Sequence, residues 1–508
     1  MFAKVFSSCV SGIDSHRVDV EVDIQGGIPT FHIVGLPDAA IRESRDRIRS
    51  AIKNTDFDFP DNRITVNLAP ADTRKEGVGF DLPIAIGILA ALGYVNKDRI
   101  NDSVICGQLS LSGYLKPIRG ALSIAMGAKD TKSVILPKQN GREAATSGNK
   151  NIYTFTTLKE VVLFLNNSLE KPPIEVNIHH LFNANSSYRT DLTDVKGQEY
   201  VKRGLAIAVS GMHNILLIGP PGSGKSMLAK RIPTICSEMT IQESLETTRI
   251  HSVAGLLSRK KSLIGTRPFR SPHHTISYAA LVGGGSWPMP GEISLAHNGV
   301  LFLDELPEFK RNVLEVLRQP LEDGEITIAR AEKTLTFPSR FMLIAAMNPC
   351  PCGYFTDPKK TCNCTPHQIQ RYLGKISGPL LDRIDLHLEV PRLRVDELSR
   401  RKPGPPSAVI RETVNKARAV QKERYKNEDV LFNAHLESRQ LDRYCVLDNA
   451  AQELLKQAIL EVGLSARAYD KLLKIARTIA DMEGKGLIEQ PHISEAINYR
   501  ALDKKLWM

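Results

Sequence analysis

The stretch Gly219-Pro220-Pro221-Gly222-Ser223-Gly224-Lys225-Ser226 decides how the central part of this chain folds. It follows the apolar run Ile215–Ile218 and precedes a helical stretch that begins MLAKRI. A glycine-rich loop that ends in Gly-Lys-Ser between a strand and a helix is typical of phosphate binding. Its glycines let backbone N–H groups surround phosphate oxygens, and the following helix adds the positive end of its dipole. The pattern predicts a site for ATP and Mg²⁺, with Lys225 at the β- and γ-phosphates and the Ser226 hydroxyl on the Mg²⁺.

Two acidic residues, Asp304 and Glu305, follow a second apolar run at Val300–Leu303. The carboxyl ends of strands in a parallel sheet face the ligand crevice, so we expect both carboxylates beside the phosphate loop. Asp304 then completes the Mg²⁺ shell, and Glu305 polarises the attacking water. Glu308, three residues further along, is the competing base. Together the two motifs predict an ATP hydrolase.

A third apolar run, at residues 341–346, leads to Asn348, whose amide can hydrogen-bond the attacking water or the γ-phosphate. Two later arginines are candidates for the same phosphate. Arg383 lies in the sequence GPLLDRID, and Arg467 lies at the start of an amphipathic helix. Their spacing alone is equally typical of surface or ion-paired arginines.

The chain has 508 residues, which at roughly 150 residues per domain indicates about three domains. Residues 1–165 mix short β-branched runs with a helical stretch, and the polar residues 166–190 have the composition of a linker. Alternating strands and helices over residues 191–397 predict an α/β fold with a parallel sheet. Residues 398–508 begin after a second proline-rich break and are helical in pattern.

The composition excludes several classes of protein. The longest apolar run, residues 82–95, is too short to span a bilayer, and the first residues lack a secretory signal pattern. Eight cysteines are too few for a disulfide scaffold, so we expect a cytosolic, cytoplasmic protein. The net charge of +11 favours a nucleic-acid partner, although a solvated basic surface gives the same balance.

In this order, the motifs resemble those of AAA+ ATPases, in particular the magnesium-chelatase-like ComM/YifB family of bacterial competence-associated proteins. The resemblance covers essentially the whole chain. The most specific stretches are RPFRSPHHTIS (267–277), GEISLAHNGVLFLDELPEF (291–309), AAMNPCPCG (345–353) and LSARAYDKLLKIARTIADMEG (464–484). It implies an AAA+ core followed by a C-terminal helical lid.

The resemblance also implies a function. The expected assembly is a homo-oligomeric ring, usually a hexamer, with ATP between neighbouring subunits. Asn348 then resembles the sensor-1 residue, Arg383 the arginine finger that reaches a neighbour's γ-phosphate, and Arg467 the sensor-2 residue. The implied activity is DNA-dependent ATP hydrolysis that drives branch migration, a helicase function, on single-stranded or branched DNA. Its setting is recombination in natural transformation, with other recombination proteins as possible partners. The alternative is a magnesium-chelatase-type ATPase subunit that remodels a protein partner.

The N-terminal domain is similar to the Lon protease domain around residues 70–81 and 114–122. Gly79 stands where Lon has its catalytic serine, and Leu122 stands where Lon has its lysine. A Ser–Lys dyad needs both the hydroxyl and the amine, so we expect the Lon-like fold without peptidase activity. Binding or assembly is the expected role of this domain.

Four cysteines, Cys350, Cys352, Cys362 and Cys364, form two Cys-x-Cys pairs within fifteen positions. Four thiolates at this spacing predict a tetrahedral structural Zn²⁺ site, although the usual spacing is Cys-x-x-Cys. Reduced surface thiols or a redox pair are the alternatives. His273 and His274 have no ligand partners at suitable spacing, so we expect packing or hydrogen bonding from them.

Residues 324–338 alternate apolar and polar side chains on both sides of a turn, which predicts a hairpin. Arg330 and Lys333 lie near its tip. In AAA+ motors that resemble this chain, a hairpin before sensor 1 projects into the ring pore, which implies that these two residues contact DNA phosphates. A solvated surface turn is the alternative, and the basic helix at residues 411–426 is the second candidate for the DNA contact.

Overall fold

A computed structural model describes residues 1–71, 75, 77–258, 261–285, 288–330, 333–355, 357, 360–392, 404–462 and 466–500. The chain divides into two compact units. The first contains Met1–Ser186 and Thr240–Gly265, and the second contains Ser187–Met239 and Thr266–Met508. The predicted domain boundaries at residues 165, 190 and 397 stay predictions.

The strands lie as follows: β1 (Phe2–Ser11), β2 (Asp14–Gln25), β3 (Thr30–Val34), β4 (Arg63–Ala69), β5 (Ser103–Ile105), β6 (Gln108–Leu109), β7 (Leu115–Lys116), β8 (Ser133–Pro137), β9 (Ile152–Phe155), β10 (Ile215–Ile218), β11 (Phe269–Arg270), β12 (Gly283–Gly284), β13 (Met289–Pro290), β14 (Val300–Leu303), β15 (Glu325–Arg330), β16 (Lys333–Pro338), β17 (Met342–Met347) and β18 (Leu386–Glu389).

The helices lie as follows: α1 (Ala39–Lys53), α2 (Asp81–Ala91), α3 (Lys97–Ile100), α4 (Ala121–Gly127), α5 (Gly141–Ala145), α6 (Leu158–Leu165), α7 (Ile178–Asn185), α8 (Glu199–Gly211), α9 (Lys225–Ala229), α10 (Ile232–Ile235), α11 (Ile241–Val253), α12 (Tyr278–Val282), α13 (Glu292–Leu295), α14 (Arg311–Glu315), α15 (Arg318–Asp323), α16 (Pro366–Leu373), α17 (Gly378–Leu381), α18 (Ser407–Arg424), α19 (Ser438–Tyr444), α20 (Asn449–Val462), α21 (Ala466–Met482) and α22 (Gln490–Asn498). Among the described residues, no helix combines the length and the apolar content that a membrane span requires.

The first unit is built on a seven-stranded mixed sheet in the order β3-β4-β2-β1-β5-β8-β9. Strands β1, β2 and β4 pair antiparallel, while β5, β8 and β9 run parallel. Buried and less buried residues alternate along β1 and β2, as expected for strands with one face on a core. Every residue of α2 is buried, which explains why this helix is apolar all round after its first residue, Asp81.

A segment from the middle of the chain, residues 240–265, packs with this first unit. The Arg249 guanidinium donates to the Asp14 carboxylate at 2.5 Å and to the Ile13 carbonyl at 2.6 Å. One turn further along α11, the Ser252 hydroxyl donates to Glu143. The sequence alternates strands and helices across this segment without a break, so its pattern did not predict the excursion. Helix α7 lies within the predicted linker 166–190.

The second unit contains a five-stranded sheet in the order β11-β14-β17-β10-β18, with every pair of neighbours parallel. The four residues of β10 and the six of β17 are all buried, as the continuous apolar runs predicted. The predicted α/β class with parallel strands is therefore confirmed. The Lon-like and lid assignments stay predictions.

The C-terminal helices of this unit meet around a buried carboxylate, that of Asp481 on α21. It accepts hydrogen bonds from Arg424 at 2.8 Å, Arg477 at 3.1 Å and the Asn433 amide at 2.9 Å. A buried charge is tolerated only when it is paired and hydrogen-bonded in this way. The network therefore fixes α18 against α21.

Candidate nucleotide site

The phosphate loop, residues 219–226, joins the carboxyl end of β10 to α9, and β10 lies between β17 and β18 in the sheet. Two of its glycines have left-handed backbones, with φ of +76° at Gly222 and +95° at Gly224. A third is crowded, because a Cβ on Gly219 would lie 2.1 Å from the Val390 carbonyl oxygen. The loop therefore requires glycine at three positions for steric reasons.

The Lys225 ammonium uses its three donors inside the site. It donates to the Gly219 carbonyl at 2.7 Å, to the Pro220 carbonyl at 3.0 Å and to Asn348 Oδ1 at 3.2 Å. Burial lowers the pKa of Lys225 to about 8, while the nearby Asp304 carboxylate opposes the shift. These contacts bring Asn348, at the end of β17, directly beside the loop lysine.

The Ser226 hydroxyl donates to Asp304 Oδ2 at 2.5 Å, so the loop and the end of β14 meet at this point. A hydroxyl and a carboxylate are oxygen ligands of the kind that Mg²⁺ prefers, so these two side chains would hold the ion. The Glu305 backbone is left-handed, with φ of +54°, and its N–H donates to Asp304 Oδ1 at 3.0 Å.

The two candidate bases have different partners. The Glu305 carboxylate lies 3.1 Å from Nδ1 of His274, whereas Glu308 lies 3.4 Å from the Lys375 ammonium. Sequence reasoning missed the first contact and assigned His274 to packing or hydrogen bonding in general. The signal available was the pair of histidines in RPFRSPHHTIS, but nothing in their spacing indicates a partner thirty-one residues away.

The four cysteines converge in space. Their sulfur atoms all lie within 4.8 Å of one another, with Cys350 Sγ 3.3 Å from Cys352 Sγ and 3.7 Å from Cys362 Sγ. Four thiolates bound to one Zn²⁺ at about 2.3 Å have sulfur atoms roughly 3.8 Å apart. The Phe355 N–H points to Cys350 Sγ at 3.3 Å and the Cys364 N–H to Cys362 Sγ at 3.4 Å. The donor set thus fits a tetrahedral metal ion such as Zn²⁺.

This cysteine cluster adjoins the nucleotide site through Gly353. The Gly353 backbone is left-handed, with φ of +83°, and a Cβ there would lie 2.6 Å from Pro221 Cδ and 3.7 Å from Asn348 Cγ. The turn that carries Cys350 and Cys352 therefore packs its backbone directly on the phosphate loop.

The two candidate arginines pair with acids of this same chain. Arg383 Nε donates to Glu322 Oε1 at 2.7 Å, and Arg467 donates to Asp382 Oδ2 at 2.9 Å. The Arg467 side chain is 67% exposed.

Asp385, two residues after Arg383, is buried, and burial alone raises the pKa of a carboxyl group. A hydrogen bond with His213 and the positive charge of Lys471 outweigh burial, so the pKa of Asp385 lies below its usual range.

The hairpin at residues 324–338 consists of β15 and β16, paired antiparallel from Glu325 opposite Pro338 to Arg330 opposite Lys333. Residues 331–332 and the side chains of Arg330 and Lys333 lie outside the described part of the chain. The hairpin ends four residues before β17, the strand that leads to Asn348.

In the first unit, Gly79 and Leu122 occupy the positions where the Lon resemblance puts the dyad. A Cβ on Gly79 would lie 3.8 Å from Ile118 Cγ2. Leu122 is buried at the start of α4, where its N–H donates to Glu143 at 3.1 Å. Residues 72–74 and 76 of the same segment lie outside the described residues.

Comparisons with known proteins find relatives that match nearly the whole chain. The family model described as magnesium chelatase, subunit ChlI, matches residues 191–398, and two further ChlI models match residues 20–140 and 404–500. The chain is 46% identical to competence protein ComM of Haemophilus influenzae, covering 99% of this chain and 98% of that protein. It is 43% identical to the uncharacterized protein YifB of Escherichia coli, covering 99% and 97%. A probable DNA helicase MCM9 of Arabidopsis thaliana is 26% identical over 39% of this chain and 25% of that protein.

Proposed function

The chain belongs to the ComM/YifB family of magnesium-chelatase-like AAA+ proteins, and on that premise we propose that it hydrolyses ATP at the phosphate loop. The observation that supports this best is the convergence of three strand ends. Ser226 contacts Asp304 at 2.5 Å, and Lys225 contacts Asn348 at 3.2 Å. A P-loop lysine, a Mg²⁺-binding pair and a polar strand-end residue are the parts that phosphoryl transfer requires.

Each residue has one role in this proposal. Lys225 neutralises charge on the β- and γ-phosphates, and Ser226 and Asp304 hold the Mg²⁺, which supplies further charge neutralisation when bound. Glu305 orients and deprotonates the attacking water, and Asn348 hydrogen-bonds the water or the γ-phosphate. Because catalysis here is mainly positioning, displacement of any of these groups lowers turnover.

In the proposed function the chain forms a ring, usually a hexamer, in which the two arginines also act on ATP. Arg383 acts as the finger toward a neighbour's γ-phosphate, and Arg467 acts as sensor 2 from the C-terminal helical lid. Their ion pairs with Glu322 and Asp382 lie at the surface, where such pairs contribute about 0–1 kcal/mol. Each guanidinium can therefore exchange its carboxylate for phosphate at little cost.

We further propose that ATP turnover drives movement along DNA, namely branch migration during recombination. The hairpin of β15 and β16 carries Arg330 and Lys333 near its turn and leads into β17, the strand that precedes Asn348. Only a short stretch of chain separates Asn348 from the hairpin, so a movement of Asn348 on ATP hydrolysis has a direct route to the hairpin. The family name and the partial likeness to a probable DNA helicase favour this function. The N-terminal Lon-like domain, without its dyad, serves binding or assembly.

The second candidate is an ATPase subunit that remodels a protein partner in metal chelation. The ChlI family models favour it, because they match in all three parts of the chain. The molecule that stimulates ATP turnover distinguishes the two candidate functions. Stimulation by single-stranded or branched DNA supports the DNA motor, whereas stimulation only by porphyrin and partner subunits supports the chelatase-type function.

The proposed catalytic site is tested with two variants. We expect Lys225→Ala to lose nucleotide binding, because it removes the positive charge at the β- and γ-phosphates. We expect Glu305→Gln to bind ATP but hardly turn it over, since an amide does not accept the proton of water. Equilibrium titration with ATP and a phosphate-release assay measure the two effects. Wild-type turnover by Glu305→Gln would transfer the role of base to Glu308.

We also propose that the cysteine cluster holds one structural Zn²⁺ per chain. The four sulfur atoms within 4.8 Å and the two N–H groups directed at sulfur support this. Metal analysis of freshly purified, unchelated protein should give about one zinc per chain. Well under one zinc per chain would contradict the proposal and leave four reduced thiols.

A further inference from the structure

The contact between His274 and Glu305 joins a sequence motif of unexplained role to the proposed base. His274 Nδ1 lies 3.1 Å from Glu305 Oε2, although the Glu305 side chain is 57% exposed. An exposed glutamate has several accessible rotamers, and holding it in one of them needs a partner. His274 is a described partner that contacts this carboxylate.

His274 is itself held in place by its neighbours. Its ring packs on that of His273, with centroids 4.1 Å apart, and meets the edge of the Phe309 ring at 6.4 Å. His273 is fixed in turn, because its Nδ1 lies 2.9 Å from the Thr275 hydroxyl. His274 therefore lies in a turn after β11, the strand beside β14, and these contacts hold its ring in place.

We infer that His274 is a positioning residue for Glu305 and fixes the carboxylate in the orientation that serves the water. This rests on the proposed function, in which Glu305 is the base. A base oriented by a third group is the common arrangement in sites that activate a nucleophile. The contact occupies one oxygen of the carboxylate and leaves the other for the water. Glu308 differs because its partner is the flexible ammonium of Lys375, which fixes no single orientation.

The test uses three substitutions of His274. The side-chain nitrogen of asparagine is separated from Cα by the same number of bonds as Nδ1 of histidine. The side-chain nitrogen of glutamine is one bond further from Cα. We expect His274→Ala to lower kcat by about 10- to 100-fold, the cost of a misplaced catalytic group, with KM for ATP within about twofold of wild type. His274→Asn should restore most of kcat, and His274→Gln should not.

A double variant shows whether His274 acts through Glu305. If it does, adding His274→Ala to Glu305→Gln lowers kcat no further than Glu305→Gln alone, because the group that it positions is already lost. An undiminished or raised kcat in His274→Ala, or equal rescue by asparagine and glutamine, would overturn the inference. The proposed function fails separately, through wild-type ATP binding and turnover in Lys225→Ala, whereas a wild-type rate in Glu305→Gln moves the base to Glu308 and overturns this inference alone.

Discussion

Replacing Gly353 by alanine tests whether the cysteine cluster controls the nucleotide site. The residue has φ of +83°, and its Cβ would lie 2.6 Å from Pro221 Cδ and 2.8 Å from Pro221 Cγ. The left-handed backbone alone costs a non-glycine residue about 1–2 kcal/mol. The steric overlap adds to this cost, because neither the proline ring nor the backbone of the turn can rotate away.

The overlap is relieved only if the cysteine turn or the phosphate loop moves. Each 1.4 kcal/mol of strain that remains in the nucleotide-bound geometry weakens binding about tenfold. We therefore expect Gly353→Ala to lower the affinity for ATP about tenfold or more. Equilibrium titration with a non-hydrolysable ATP analogue measures the effect, and metal analysis in parallel shows whether the zinc content stays unchanged.

The matched control is Gly378→Ala at the start of α17. Among the described residues, no atom outside its own helix and its chain neighbours lies within 4 Å of the Cβ that would be added there, and its φ is not left-handed. We expect wild-type affinity from this variant. If Gly353→Ala bound the analogue within about twofold of wild type, the cysteine turn would not support the phosphate loop and the reasoning would be refuted.

Three further predictions follow from the site and its surroundings. Mixing Arg383→Ala subunits with Lys225→Ala subunits should restore part of the turnover, because mixed rings contain some complete sites; no rescue in rings shown to be mixed would contradict an arginine acting in trans. The double change Arg330→Ala, Lys333→Ala should spare ring assembly and basal turnover but lower DNA-stimulated turnover and flatten the salt dependence of DNA binding. Unchanged branch migration would move the DNA contact to residues 411–426. The lowered pKa of Asp385 gives stability that is present above the unfolded pKa, near 3.9, and is lost as the pH falls below it. Denaturant unfolding at pH 7 and pH 3 should therefore show a smaller loss of stability for Asp385→Asn than for wild type.

The sequence by itself determined the α/β class, the phosphate loop and the acidic pair after the neighbouring strand. These features are local, since glycine spacing fixes a backbone conformation and a continuous apolar run indicates a buried strand. The same reasoning located the four cysteines, because metal ligands close in sequence need little tertiary structure to converge. The roles of these residues stay predictions for the variants above.

Only the tertiary structure decided the contacts between segments that are distant in the chain. It paired His274 with Glu305, set Gly353 against Pro221 and gave Arg383 the partner Glu322. It also packed residues 240–265 with the N-terminal unit, although their pattern continues that of the central α/β part of the chain. Periodicity records which face of an element is buried, but not which element covers it, because many partners satisfy the same apolar pattern. The choice among them depends on packing and charge pairing, which form only once the whole chain has folded.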